Sequence, residues 1–116
     1  MQATVFSNKQ ITISMKNNEK YTILAKITIL PGFEAGVKAA AKKVWKETSK
    51  ETGCEMFLYN IESGTENTIY FLEVFLSREA FDVHMNLEHT KAFLDYIKGK
   101  VVGDSSERTF LDRIEK

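Results

Sequence analysis

Residues 54–76 read CEMFLYNIESGTENTIYFLEVFL. Two apolar, β-prone runs flank the turn-forming Ser63-Gly64-Thr65-Glu66, so the stretch predicts a β-hairpin. Successive side chains of a strand point to opposite faces, and here both faces are apolar. Along 69–76, Tyr70, Leu72, Val74 and Leu76 share one face, while Ile69, Phe71, Glu73 and Phe75 share the other. On the first run, Cys54, Met56 and Leu58 oppose Phe57, Tyr59 and Ile61. A sheet with one face in water alternates apolar with polar, so this pattern asks for cover on both sides.

Working outward, YTILAKITIL at residues 21–30 is another strand, with Ile23, Ala25, Ile27 and Ile29 opposing Leu24, Lys26, Thr28 and Leu30. It stops at Pro31-Gly32. Val37, Ala40, Ala41, Val44, Trp45 and Thr48 then recur at helical spacing, predicting a helix from about Glu34 to about Lys50 with Gly53 as its C-terminal cap. Beyond the hairpin, Ser77 is a candidate N-cap for a short helix over Arg78–His84. Asn86 is a second candidate, starting a longer helix that runs to Gly99. After Gly103-Asp104-Ser105-Ser106, the run ERTFLDRIE at 107–115 predicts a last strand. The order β-α-β-β-α-β is that of an α+β, ferredoxin-like sandwich. Its helices cover one face only, and a second copy of the chain is the simplest cover for the other, which predicts a homodimer.

The remaining features bound the function. The 116 residues predict one domain over 21–116, preceded by an N-terminal arm or extra strand at 1–20 that carries Thr4-Val5-Phe6 and Ile11-Thr12-Ile13. Sixteen basic residues balance sixteen acidic ones, so no basic excess favours nucleic acid. There is no apolar span of membrane length and no signal-peptide core at the N-terminus. The lone Cys54 forms no internal disulfide and fits a reducing compartment. The expectation is a soluble, cytoplasmic protein.

Three residues carry the candidate chemistry. Glu73 lies between Phe71 and Phe75 on one strand face, where a carboxylate must be paired, hydrogen-bonded or neutral. A structural role would pair it with Lys26, Arg113 or backbone near a helix start; a functional one would have it orient a histidine or a substrate hydroxyl. In an unbroken helix His84 and His89 would point about 140° apart. With a restart near Asn86, His84 ends one helix and His89 enters the first turn of the next, where the helix N-terminus favours the neutral, proton-accepting imidazole. Simple packing is the alternative for both. His84, His89, Glu88 and Cys54 match no zinc spacing, so no metal is expected. Trp45, Phe57, Tyr59, Phe71, Phe75 and Phe81 are core by default, and would suit a flat aromatic ligand if they line a cavity.

The first strand ending in Pro31-Gly32, the Thr52-Gly53-Cys54-Glu55 turn and the run LEVFLSREAFDVHMNLEHTKAF at 72–93 together resemble the antibiotic biosynthesis monooxygenase family. These are small dimeric α/β-barrel proteins that include quinol monooxygenases. The resembling positions are Glu73, Phe75, Ser77, Glu79-Ala80, His84, His89 and Phe93, with Phe75 standing where the family usually has tryptophan. The resemblance implies a cofactor-independent monooxygenase acting on a hydroxylated aromatic such as a quinol, with O₂ as co-substrate. His84 would act as base, with His89 and Glu73 orienting; Asn60 and Tyr59 would hold substrate oxygens beside Phe75, Phe71, Phe81 and Trp45. Haem-degrading relatives carry a ligand histidine in the last helix, and KAFLDYIKGK at 91–100 has none, so no haem or other cofactor is expected. The alternatives are an isomerase or lyase of a small carbonyl compound, and a non-catalytic ligand-binding stress-response module.

Overall fold

A computed structural model describes residues 19–115. The two β-prone pieces of the expected arm, at 4–6 and 11–13, lie outside the described residues. The elements run β1 (Tyr21–Thr28), α1 (Glu34–Thr48), β2 (Cys54–Ile61), β3 (Thr68–Phe75), α2 (Arg78–Asn86), α3 (Glu88–Ile97) and β4 (Glu107–Leu111). A single 3₁₀ turn at Val102–Asp104 precedes β4. All strand pairs are antiparallel, in the order β2-β3-β1-β4, which with the helices makes the expected α+β, ferredoxin-like fold.

The two faces of the sheet separate as the alternation predicts. Ile23, Ala25 and Ile27 of β1, Ile69 and Phe71 of β3, and Phe57 of β2 are buried; Val37, Ala41 and Val44 of α1 and Phe93 and Ile97 of α3 close the core over them. The opposite face carries cross-strand rows such as Leu58-Leu72-Leu24-Thr109 and Met56-Val74-Thr22-Leu111. No element among the described residues packs over that face. Met56, Leu58, Leu76 and Leu111 remain exposed there.

Three local expectations are corrected. Cys54 does not share a face with Met56 and Leu58: a register shift between Cys54 and Met56 places Cys54 opposite Phe75, packed against the helix-side core. The extra residue of the bulge reverses the two-residue alternation. Gly53 does not cap α1, which ends at Thr48, and it is absent from the positive-φ glycines. Its missing side chain serves close packing instead, because a Cβ there would stand 2.7 Å from Ala80 Cβ at the start of α2. The predicted final strand, residues 107–115, pairs only as far as Leu111. Gly32, by contrast, does what its place after Pro31 suggested: with φ 93° it turns the chain from β1 toward α1.

Candidate active site

Three loop and helix-end positions converge above Phe75. Ser77 starts α2 as an N-cap, its Oγ accepting from the Ala80 N–H at 3.1 Å, and so fixes the phase of the helix that carries His84 in its last turn. The restart expected at Asn86 falls one residue later. Asn86 belongs to α2 and donates from Nδ2 to the Asp82 carbonyl at 2.9 Å, while Leu87 takes the extended conformation that separates the helices. His89 therefore enters the first turn of α3. Glu51 stands in the turn after α1, its N–H donating to the Thr48 carbonyl at 3.0 Å. The Leu76 N–H donates to the Gly53 carbonyl at 2.9 Å, and the Gly53–Ala80 contact presses the same turn onto α2.

One oxygen joins the three. Glu51 Oε2 lies 2.8 Å from His84 Nδ1 and 2.6 Å from His89 Nε2. The side chains are 9%, 6% and 19% exposed, so His89 is the outermost. Thr90 Oγ1 is 3.3 Å from the same His84 nitrogen. The His84 ring packs 4.8 Å from Phe75 and 6.2 Å from both Phe57 and Phe81. Burial among these rings holds His84 below the usual histidine range, with the Glu51 contact opposing the shift. Nδ1 is engaged at Glu51, which leaves Nε2, on the other edge of the ring, for a ligand.

Glu51, His84 and His89 are also the one group among the described residues whose donor atoms gather closely enough to suggest a cation, all within 4.8 Å of one another. Glu88 and Cys54 are not in it. The separations of 2.6 and 2.8 Å are those of hydrogen bonds. Two donors on one tetrahedral zinc, each about 2.1 Å from the metal, stand roughly 3.4 Å apart. Hydrogen bonding therefore describes the cluster better than a preformed metal site.

Below His84, between sheet and helices, is a cavity of about 30 Å³ lined by Phe57, Phe71, Glu73, Phe81, His84 and Arg108, among others. That is room for a water-sized group or two. Glu73 is 7% exposed and makes no ion pair among the described residues. Burial pushes its carboxyl up to about 7, the Arg108 charge working against the rise and the Glu51 charge with it. The partners expected for Glu73 are elsewhere. Lys26 is on the opposite face, over the Tyr70 ring, and Arg113 is 3.9 Å from Glu55.

The structure thus brings together His84, Glu73, Phe71 and Phe81 around the cavity, with His89 linked to His84 through Glu51. Phe75 is fully buried and supports the His84 ring without lining the space. Tyr59 stacks between Trp45 and Phe71, beside the cavity. Asn60 does not join them: its register with Tyr70 and Lys26 puts it on the uncovered face, at the sheet edge. Burial pushes the Cys54 thiol up to about 11, which disfavours the nucleophilic thiolate, and its side chain packs against the core. Sequence reasoning missed Glu51 and Arg108; Phe57, one of the aromatics expected to suit a ligand if they line a cavity, does line it. Glu51 is 33 and 38 positions from its partners, and nothing in its neighbourhood marks it except the glycine that lets its turn approach α2.

The site thus sits in a small ferredoxin-like domain, where a buried histidine and a buried carboxyl share one cavity. The sequence profile of the antibiotic biosynthesis monooxygenase family matches residues 20–96, and the chain belongs to that family. No curated protein matches the sequence. Among solved structures it is similar to PA3566 from Pseudomonas aeruginosa, at 19% identity and TM-score 0.78, covering 85% of this chain and 98% of that one. It is similar also to Rv0793 from Mycobacterium tuberculosis, at 16% identity and TM-score 0.78 over 84% and 98% of the two chains. A third, described as an antibiotic biosynthesis monooxygenase, has 18% identity and TM-score 0.76 over 82% and 99%. At these identities the likeness establishes the fold.

Proposed function

We propose that this protein is a cofactor-independent monooxygenase of a hydroxylated aromatic such as a quinol, with His84 as the base. The observation that carries the reading is the placing of His84, biased toward its neutral form, on an apolar cavity shared with Glu73. The Nε2 atom would take a phenolic proton, and the electron-rich anion would reduce O₂. For a quinol the balance is one oxygen atom added to the ring and one released as water, with all four electrons drawn from the substrate. The phenylalanines keep bulk water from the intermediates. At about 30 Å³ the cavity suits dioxygen as it stands; an aromatic ring requires side chains such as Phe81 and Met85 to move aside. Glu73, Phe71 and Phe81 would contact the ring, while Tyr59, Trp45 and Phe75 support these groups from behind.

His84→Ala should abolish oxygen uptake with dihydroxyaromatics, measured with an oxygen electrode. Uptake at the wild-type rate would remove His84 from the mechanism.

Glu73 favours a second reading. A carboxyl titrating near 7 can donate a proton, and opposite a proton-accepting His84 it makes an acid–base pair suited to isomerising a small carbonyl compound. That reaction consumes no oxygen, so the same electrode separates the two. Under either reading the uncovered sheet face, with Met56, Leu58, Leu72 and Leu111, would be closed by a second copy of the chain.

A further inference from the structure

We infer that Glu51 is the positioning residue of this site, its Oε2 atom holding His84 and His89 in fixed tautomers so that His84 turns an unprotonated Nε2 to the cavity. The inference rests on the reading of His84 as the base and adds the group that makes it one.

An ionised carboxylate only accepts hydrogen bonds. With His84 Nδ1 at 2.8 Å and His89 Nε2 at 2.6 Å from the same oxygen, both nitrogens must therefore carry hydrogen. A neutral imidazole has one N–H, so His84 protonated at Nδ1 has its lone pair at Nε2, on the ring edge away from Glu51. His84 lines the cavity, and on this inference that lone pair is what an entering hydroxyl meets. When Nε2 takes the proton, the cation formed lies against the Glu51 carboxylate, and the same nitrogen later returns the proton to product or water. Nothing is oxidised in this step. Thr90 Oγ1, at 3.3 Å from Nδ1, makes the longer and weaker of the two contacts there, against 2.8 Å for Glu51.

His89 has a different part. By donating to the same oxygen it fixes where that oxygen stands relative to His84 Nδ1. It is also the outward end of the cluster, lining a groove of about 540 Å³ between α1 and α3 with Lys43, Glu47, Glu88 and Tyr96. The charged and titratable groups facing His84 are Glu51, His89 and Arg108, with Glu73 on the same cavity. Glu51 is therefore the one anion hydrogen-bonded to His84 among the described residues.

The test needs no substrate. Two-bond ¹⁵N–¹H spectra of the full-length, ¹⁵N-labelled protein at pH 7.5 report which nitrogen of each histidine carries hydrogen. The expected result is Nδ1–H for His84 and Nε2–H for His89. In Glu51→Leu the side chain offers no acceptor, so at least one histidine should change tautomer, and in Glu51→Gln, whose amide oxygen can still accept from both nitrogens but carries no charge, the midpoint at which His84 becomes doubly protonated should fall. Glu51→Asp should recover part of both effects. A purely structural Glu51 would leave tautomer and midpoint unmoved, and that result overturns the inference. So does an Nε2–H tautomer of His84 in the wild type, which decides the matter even if the Gln variant fails to fold. Stoichiometric Zn²⁺ binding that erases the Glu51 hydrogen bonds overturns it too, by making the three residues a ligand set. With a turned-over quinol, Glu51→Gln should lower kcat roughly tenfold or more with a smaller change in KM. If His84→Ala leaves oxygen uptake intact while the tautomers are as stated, the monooxygenase reading fails and the positioning role stands.

Discussion

Phe57 and Leu58 are neighbours on β2, both large and apolar, yet Phe57 is 7% exposed and Leu58 49%. Their strand offers the same hydrophobic surface to both sides. On the Phe57 side, α1, α2 and α3 supply cover, and with cover come a small cavity, a histidine held toward neutrality and a carboxyl pushed up to about 7. On the Leu58 side no helix packs among the described residues, and no buried ionisable cluster forms there among them. The contrast teaches that apolar strands alone do not make a site. The enclosing layer does, because exclusion of water is the largest cause of the shifts at Glu73 and His84.

The largest effect should come from removing a support on the covered side. Phe75→Ala empties a fully buried position against Phe81 and His84, and should cost about 3–5 kcal/mol in chemical denaturation. A loss below 1 kcal/mol would mean that the helix side is far looser than its packing implies.

Glu73 comes next, and its sign is fixed by direction. Its folded pKa is raised from 4.5 to about 7, so protonated Glu73 stabilises below pH 4.5 and that contribution is lost as pH climbs toward 7. Glu73→Gln should therefore be more stable than wild type at pH 8, by up to about 3 kcal/mol, and close to wild type at pH 4. His84 acts oppositely: with its pKa lowered, its contribution is present above pH 6.5 and lost as the pH falls. Thermal melts from pH 4 to 8 separate the two. A Glu73→Gln curve parallel to wild type across that range would show that Glu73 is solvated.

The smallest effect on folding, and the sharpest on assembly, belongs to the open side. Leu58→Asp should change the stability of the isolated chain by less than about 1 kcal/mol, since the residue is already half in water. The same change should reduce the light-scattering mass from two chains to one. A wild-type chain that is already monomeric at micromolar concentration removes the sheet-to-sheet dimer and leaves the two faces different for another reason.

Much of this contrast was legible before any coordinates. The alternation of 69–76 placed Glu73 on the face of Phe71 and Phe75, and Ser77 announced the helix that carries His84. Both are local signals, with periods of two or single capping positions. Reading failed where a single residue changed the phase, as at the Cys54–Met56 bulge that turned Cys54 inward. It failed again where a glycine served tertiary contact, as Gly53 does against Ala80. Asn60 was assigned to the substrate by resemblance, and its register carries it to the other face.

What the sequence determined by itself is the list of strands and helices, their order, and the doubly apolar sheet. These follow from periodicity and from Pro, Gly and Ser punctuation, which act over a few residues. Only the tertiary structure could bring Glu51 to His84 and His89, across 33 and 38 positions. Only it could put Arg108 of β4 beside the cavity under Glu73. Hydrogen bonds and charge interactions depend on distances in space, and a chain's spacing does not encode these until its layers have packed.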